Sequence, residues 1–362
     1  MRIRYAIIFC VLLFLSVETA HAQMIPGDLT DALSPEAEQI LDSLGDGSYD
    51  HNTLMRGLGR IGEAVCQGAL SLFRSNVNGT VLLLGVVLLC SVIDDMHRAA
   101  DSGTENYVPL AGALVITLIA AGSLRSLMGV GMETMEQLDV FAKSLLPTLA
   151  AAVAAGGGVV SASVRQILTV MFTNLLISVI RHLLLPMVYC YVAVAVANAV
   201  LPDHGLKRLQ SGIGKVVTGA LTGLLVVFTA FLTLSGAAGT AADAAALRLT
   251  KSAISTAVPV VGSIIADATD SVLASAGILK SAIGVFGMLG VLAICLTPFL
   301  HLAVQYLLYK LTAFLASTVG SESLVELIDS LGSAFGLLLG MTGTCALLLL
   351  ISVASSVSVV VT

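Results

Sequence analysis

Apolar positions in this chain come in long runs, broken by isolated charges and short polar segments, and the runs recur almost to the C-terminus. A helix needs about 20 apolar residues to cross a bilayer. Spans are predicted near Thr80–Ile93, which Asp94 and Asp95 close, and near Val108–Leu124. The alanine- and glycine-rich run Pro147–Val160 has close-packing character and suits a short span. Val164–Leu201 is apolar on both sides of Arg181 and His182, which predicts two spans in a tight hairpin. An arginine is costly in the bilayer, so Arg181 is expected at an interface. Ile213–Ser235 crosses next, and Ile283–Leu296, His301–Val319 and Phe335–Val361 are the last spans.

The intervening segments read differently. In Met132–Ser144, Glu133, Glu136 and Asp139 share a face, with Lys143 one turn beyond Asp139 and Met135, Leu138 and Phe141 opposite. That pattern predicts an interfacial helix with i,i+4 ion-pair support. In Pro259–Leu279, Val261, Ile264, Ile265, Ala268 and Val272 form one face, and Ser263, Asp267, Asp270 and Ser271 the other. This is an amphipathic segment at the interface, or one with its polar side on an aqueous path. Glu322, Glu326 and Asp329 make an acidic loop.

Before the first span the chain is polar enough for water. Arg2 and Arg4 precede a short apolar stretch, Tyr5–Val17, and Ala20-His21-Ala22 fits a small-x-small cleavage site, so a signal peptide is expected over 1–22. Ser34-Pro35 predicts a helix start, with Ala37, Ile40, Leu41 and Leu44 on one face. Leu54, Leu58, Ile61, Val65 and Leu72 predict a second amphipathic helix. The expected organisation is a signal peptide (1–22), an exported helical head (23–76) and a first transmembrane group (77–236). An amphipathic, interfacial or re-entrant segment (237–280) and a C-terminal transmembrane group (281–362) follow.

Composition agrees with an all-α polytopic membrane bundle. Of 362 residues, 57% are hydrophobic and 11% charged, and mean hydropathy is +0.99; soluble domains carry about 25% charged residues. With a net charge of -6 and no basic patch, nucleic acid is excluded as a partner. Lys207, Arg208 and Lys215 form the densest basic loop after the signal, which the positive-inside rule makes cytoplasmic. Five spans ahead of it then leave the head outside the cytoplasm.

Catalytic templates fail one after another. Gly212-Ile213-Gly214-Lys215 lacks the earlier glycine of a phosphate loop, and Val216 stands where a magnesium-binding hydroxyl belongs. No HExxH or GxSxG occurs, the histidines are scattered, and the cysteines have no metal or disulfide spacing. No cofactor or metal is expected, and the protein reads as a non-enzyme. What remains is polar positions in a membrane setting. His301, Gln305, Tyr309 and Thr312 recur as one helical stripe after Pro298, either as hydrogen-bonding glue between helices or as a path-lining face. Together with Asp267 and Asp270 they are the candidate assembly or path-facing residues. Gly219 and Gly223, and Gly336 and Gly340, form two GxxxG pairs, the candidates for close helix packing.

Three ordered segments carry a family resemblance: VPVVGSIIADATDSVLASAGILKSAIGVFG from Val258, CLTPFLHLAVQYLLYKLTAFLAS from Cys295, and LIDSLGSAFGLLLGMTGTCALLLLIS from Leu327. They closely resemble the stage III sporulation protein AE family, over roughly the C-terminal two thirds. The resemblance implies an endospore-forming bacterium and a multi-pass protein of the mother-cell membrane around the forespore. It implies a role in the channel complex that joins the two cells and supports late forespore gene expression. The implied partners are other stage III sporulation membrane proteins, a forespore-membrane protein across the intermembrane space, the lipid bilayer and a second copy of the chain. It carries no catalytic residues. A different class, a secondary transporter for a small solute, is the alternative; broken helices and midplane polar groups suit it.

Overall fold

The computed structural model describes residues 33, 35–42, 51–99, 108–201, 204–257 and 262–358; of these, most side chains in 51–67 and all in 253–270 lie outside the description. The described residues are almost all helical: α1 (Pro35–Asp42), α2 (His51–Ala99), α3 (Val108–Ala155), α4 (Val159–Val179), a π turn (Ile180–Leu184), α5 (Leu185–Val200), α6 (His204–Ala257), α7 (Gly262–Ala316) and α8 (Glu322–Val357). Six helical segments among them are long and apolar enough to cross a membrane, as a polytopic bundle requires. The proposed signal peptide lies outside the described residues.

These are rods rather than single spans. The segment Ser271–Ala316 has 46 residues, about 70 Å at 1.5 Å per residue, against a hydrocarbon core of about 30 Å. Three corrections to the sequence reading follow. The hairpin predicted at Arg181-His182 is a single rod, α4–π–α5, continuous through one π turn. Its charge is compensated instead by an ion pair between Arg181 and Glu136 on α3. The segments Ile283–Leu296 and His301–Val319 are parts of one helix, α7, with Pro298 inside it. Proline removes one i→i−4 hydrogen bond, but the flanking turns are held by packing on α8, the most extensive helix pair in the bundle.

The third correction concerns α3. Met132–Ser144 is its middle, not an interfacial helix: Met135, Leu138 and Phe141 are fully buried in the common core. The predicted i,i+4 pair is present, with Lys143 Nζ 2.6 Å from Asp139 Oδ2. Pro147–Val160 is not a span but the last turns of α3, a tight turn and the first residues of α4. Gly157 makes that turn at φ 87°, the left-handed region that glycine enters without penalty.

Three rods thus precede the basic loop where five spans were expected. Both numbers are odd, so the loop's side relative to the head is the same. The far end changes. The predicted acidic loop, Glu322, Glu326 and Asp329, is instead the start of α8, and Lys207 lies in the first turn of α6. Lys207 Nζ is 2.8 Å from Glu326 Oε1, which puts the basic and acidic segments at one end of the bundle, whereas the longer span series had separated them. The boundaries at 76/77, 236/237 and 280/281 fall inside continuous helices, α2, α6 and α7.

Aromatic rings and glycines hold the centre. Phe141, Phe228, Phe286 and Phe335 are fully buried, with ring centroids of Phe141 and Phe286 6.3 Å apart and of Phe172 and Phe228 5.3 Å apart. Along α7, Gly284, Gly287 and Gly290 let α3 and α8 approach: a Cβ on Gly290 would lie 2.5 Å from Phe141 Cζ, and one on Gly287 2.6 Å from Leu145 Cδ2. Small residues at such crossings replace the hydrophobic effect, which lipid does not supply between helices. Outward-facing positions of α2, α6 and α7 are large and apolar, among them Leu82, Leu89, Val226, Phe231 and Phe314.

Candidate polar cleft between α3 and α7

The polar stripe of α7 does not stay on one environment. Gln305 and Tyr309 are buried and Thr312 is completely so. The Tyr309 ring stacks obliquely on Phe335 at 5.0 Å, and Thr312 Oγ1 donates to the Leu308 carbonyl at 2.6 Å. His301, at the start of the stripe, turns into a cleft of about 510 Å³ between α3 and α7, which Pro35 of α1 closes at one side. Asp267 and Asp270 lie on the first turns of α7, and their side chains are outside the described residues.

The cleft gathers polar groups from two helices. From α3 come Ser126, Glu133, Thr134 and Gln137, spaced to share one helical face; from α7 come Thr297, Pro298 and His301, with Ile294. Two of them, Thr134 and His301, are oriented by local hydrogen bonds. Thr134 Oγ1 donates to the Val130 carbonyl at 2.7 Å, so its proton is committed and its lone pairs remain. His301 Nδ1 lies 3.0 Å from the Thr297 carbonyl. A carbonyl only accepts, so Nδ1 carries the proton, and in the neutral ring Nε2 is an acceptor. Residue 298 is proline, so the Ile294 carbonyl has no amide hydrogen at i+4. Of the three α3 carboxylates, Glu136 pairs with Arg181 and Asp139 with Lys143; Glu133 has no partner among the described residues.

The two glycine pairs behave differently. Gly336 sits under a ring: a Cβ there would be 3.1 Å from Tyr306 Cε2, and one on Gly340 3.8 Å from Leu221 Cδ1. Gly219 and Gly223 face outward, with nothing within 4 Å of an added Cβ among the described residues.

A second polar group, which sequence reasoning passed over, ties α4, α6 and α8 together at the opposite end from the Lys207–Glu326 pair. Asp243, 2% exposed, accepts from the Val160 amide at 2.8 Å and the Ser161 amide at 2.9 Å, and so caps the start of α4 from α6. Arg165, also buried, donates to the Ser355 carbonyl and hydroxyl, and Thr169 bonds Ser352. Gly236 and Gly239 make room: a Cβ would meet Arg165 Nη2 at 2.6 Å and Ser161 Oγ at 2.9 Å. An ionisable residue inside an apolar helical run was the available signal for both Arg165 and Asp243. Among the described residues no group of three metal-ligating side chains occurs.

No solved structure matches the chain. The stage III sporulation protein AE of Bacillus subtilis (strain 168) is 23% identical over 252 residues, which are 69% of this chain and 63% of that protein's length. The profile of the stage III sporulation protein AE family matches residues 41–360, from α1 through the end of α8. That match covers all six rods and the α3 and α7 walls of the cleft, and this chain belongs to the stage III sporulation protein AE family.

Proposed function

We propose that this protein acts in endospore formation as a non-enzymatic membrane component of the channel complex joining mother cell and forespore. It sits in the mother-cell membrane around the forespore and works by assembly with other stage III membrane proteins. The observation that carries this reading is the family match over nearly the whole rod bundle, 41–360. Two physical features support it. The apolar outer faces of α2, α6 and α7 suit lipid and partner helices. Three rods before the basic end, with Lys207 and Arg208 cytoplasmic, leave the head outside the cytoplasm, where a forespore-membrane partner is reached.

The experiment is recovery of the stage III membrane proteins with a tagged copy of this chain, compared with their recovery as a complex when its gene is deleted. Loss of the complex on deletion is the expected result. Normal assembly of the remaining proteins without it refutes the proposal. The α3–α7 cleft favours a second reading, a secondary transporter, because an unpaired carboxylate sits there midway along apolar rods. Solute-dependent flux in liposomes containing only this protein distinguishes it.

A further inference from the structure

The α3–α7 cleft has a chemistry of its own. By hydrogen-bonding role, the Glu133 carboxylate, the Gln137 amide oxygen, the Thr134 lone pairs and the His301 Nε2 lone pair accept, against the Ser126 and Thr297 hydroxyls and the Gln137 amide nitrogen as donors. No lysine or arginine lines it, so its net charge is that of Glu133. Glu136 and Asp139, on the same helix within two turns, are each neutralised by a cation; Glu133 is not. Glu133 stands exposed at the edge of the cleft, so a bound cation reaches it with no competing positive side chain in the lining.

Size and ligand number select among cations. At about 510 Å³ the cleft has the dimensions of a small-molecule site and is far larger than a bare ion requires. Calcium takes about six to eight oxygen ligands, usually with several carboxylates, and magnesium needs a tight octahedral shell, whereas the cleft offers one carboxylate in a space far wider than such a shell. A bare monovalent ion would leave the histidine nitrogen and the amide oxygen without donors. The complement of an acceptor-rich, singly anionic cleft is a cation that carries several N–H donors on a small carbon frame. The geometry points to a binding site for a small organic cation, an alkylammonium or alkylguanidinium ion, between α3 and α7, with Glu133 as its counter-charge and Gln137 and His301 Nε2 as acceptors. Pro35 of α1 forms one wall, so binding also bridges the head helix to the bundle.

The site stands independently of the assembly reading, because binding is measured on the purified chain alone. The full-length protein in lipid nanodiscs is titrated calorimetrically with n-butylammonium, ethylguanidinium and, as a cation without N–H donors, tetramethylammonium. Saturable binding of the first two and none of the third is expected. Glu133→Gln weakens binding at least tenfold, while Glu136→Gln, whose residue pairs with Arg181, leaves it unchanged. Gln137→Leu is the second variant and weakens both N–H ligands without creating affinity for tetramethylammonium. Absence of saturable binding to the wild type, equal binding of tetramethylammonium, or undiminished affinity in folded Glu133→Gln and Gln137→Leu each overturns the assignment. Complex assembly in cells carrying Glu133→Gln is scored separately, so that failure of the site and failure of the assembly proposal are distinguishable.

Discussion

Replacing Gly290 by alanine tests the packing of α7 on α3 more sharply than any truncation. The added Cβ would lie 2.5 Å from Cζ of Phe141, whereas carbon atoms in contact settle near 3.5–4.0 Å, so the ring must retreat by about 1 Å. Phe141 has nowhere to go: it is fully buried, packed on Phe286 at 6.3 Å. Overpacking of this kind costs about 1–3 kcal/mol. Alanine is also the better helix former, by about 0.8–1.0 kcal/mol, which would mask part of the loss. Gly219→Ala supplies the reference, since that position is helical and has nothing within reach of a new Cβ. Subtracting the two variants cancels the propensity gain and leaves the steric cost, about 1–3 kcal/mol in favour of Gly219→Ala. The assay is reversible unfolding of the purified protein in detergent, followed by helical circular dichroism. Equal stabilities for the two variants would refute the close approach of α3 and α7 at this crossing.

Three further outcomes are expected. Asp243→Ala leaves the Val160 and Ser161 amides without their acceptor and lowers stability by about 2 kcal/mol in the same unfolding assay; an unchanged midpoint argues against capping across α6 and α4. Cysteines placed singly at Lys207 and Glu326 are labelled by an impermeant maleimide from the same side of the membrane, because the two side chains meet at 2.8 Å; labelling from opposite sides would restore the larger number of spans. Asp267→Leu combined with Asp270→Leu spares insertion and impairs sporulation, and a normal spore yield at wild-type protein levels removes those residues from the assembly surface.

Much of this fold was legible in the amino-acid order, and the gaps have physical causes. Long apolar runs predicted a helical membrane bundle, and the spacing of Asp139 and Lys143 predicted their pair. Interruptions were harder to read. Arg181 looks like a loop when only its own run is considered, because its partner Glu136 is 45 positions away and invisible to periodicity. Pro298 looks like a helix end, yet the carbonyl it orphans lies on a polar cleft and the flanking turns are fastened to α8. The candidate stripe on α7 was one pattern in sequence but divides in space, with His301 in the cleft and Tyr309 and Thr312 in the core. Glu133 was grouped with Glu136 and Asp139 by spacing; Asp139 is paired within α3 by Lys143, but that Glu136 is paired and Glu133 is not depends on the neighbouring rod that carries Arg181. Asp243 and Arg165 sat in plain view as lone charges in small-residue runs, and their roles needed the crossing of α4, α6 and α8.

The π turn has a consequence for how this chain tolerates changes in length. Along the α4–π–α5 rod the buried positions include Phe172, Leu176, Ile180, Leu184 and Val188, a repeat of four. On an unbroken α-helix, residues 172 and 188 would point about 160° apart, and the extra residue held in the wide turn takes back about 100° of that. Losing one residue between Ile180 and Leu184 converts the wide turn to an ordinary one and leaves both flanking halves facing the core. Losing one residue anywhere else in the rod swings half of it by about 100° and presents lipid-facing side chains to α8. Insertions and deletions accepted by this rod are therefore confined to a single turn, which holds one residue of slack.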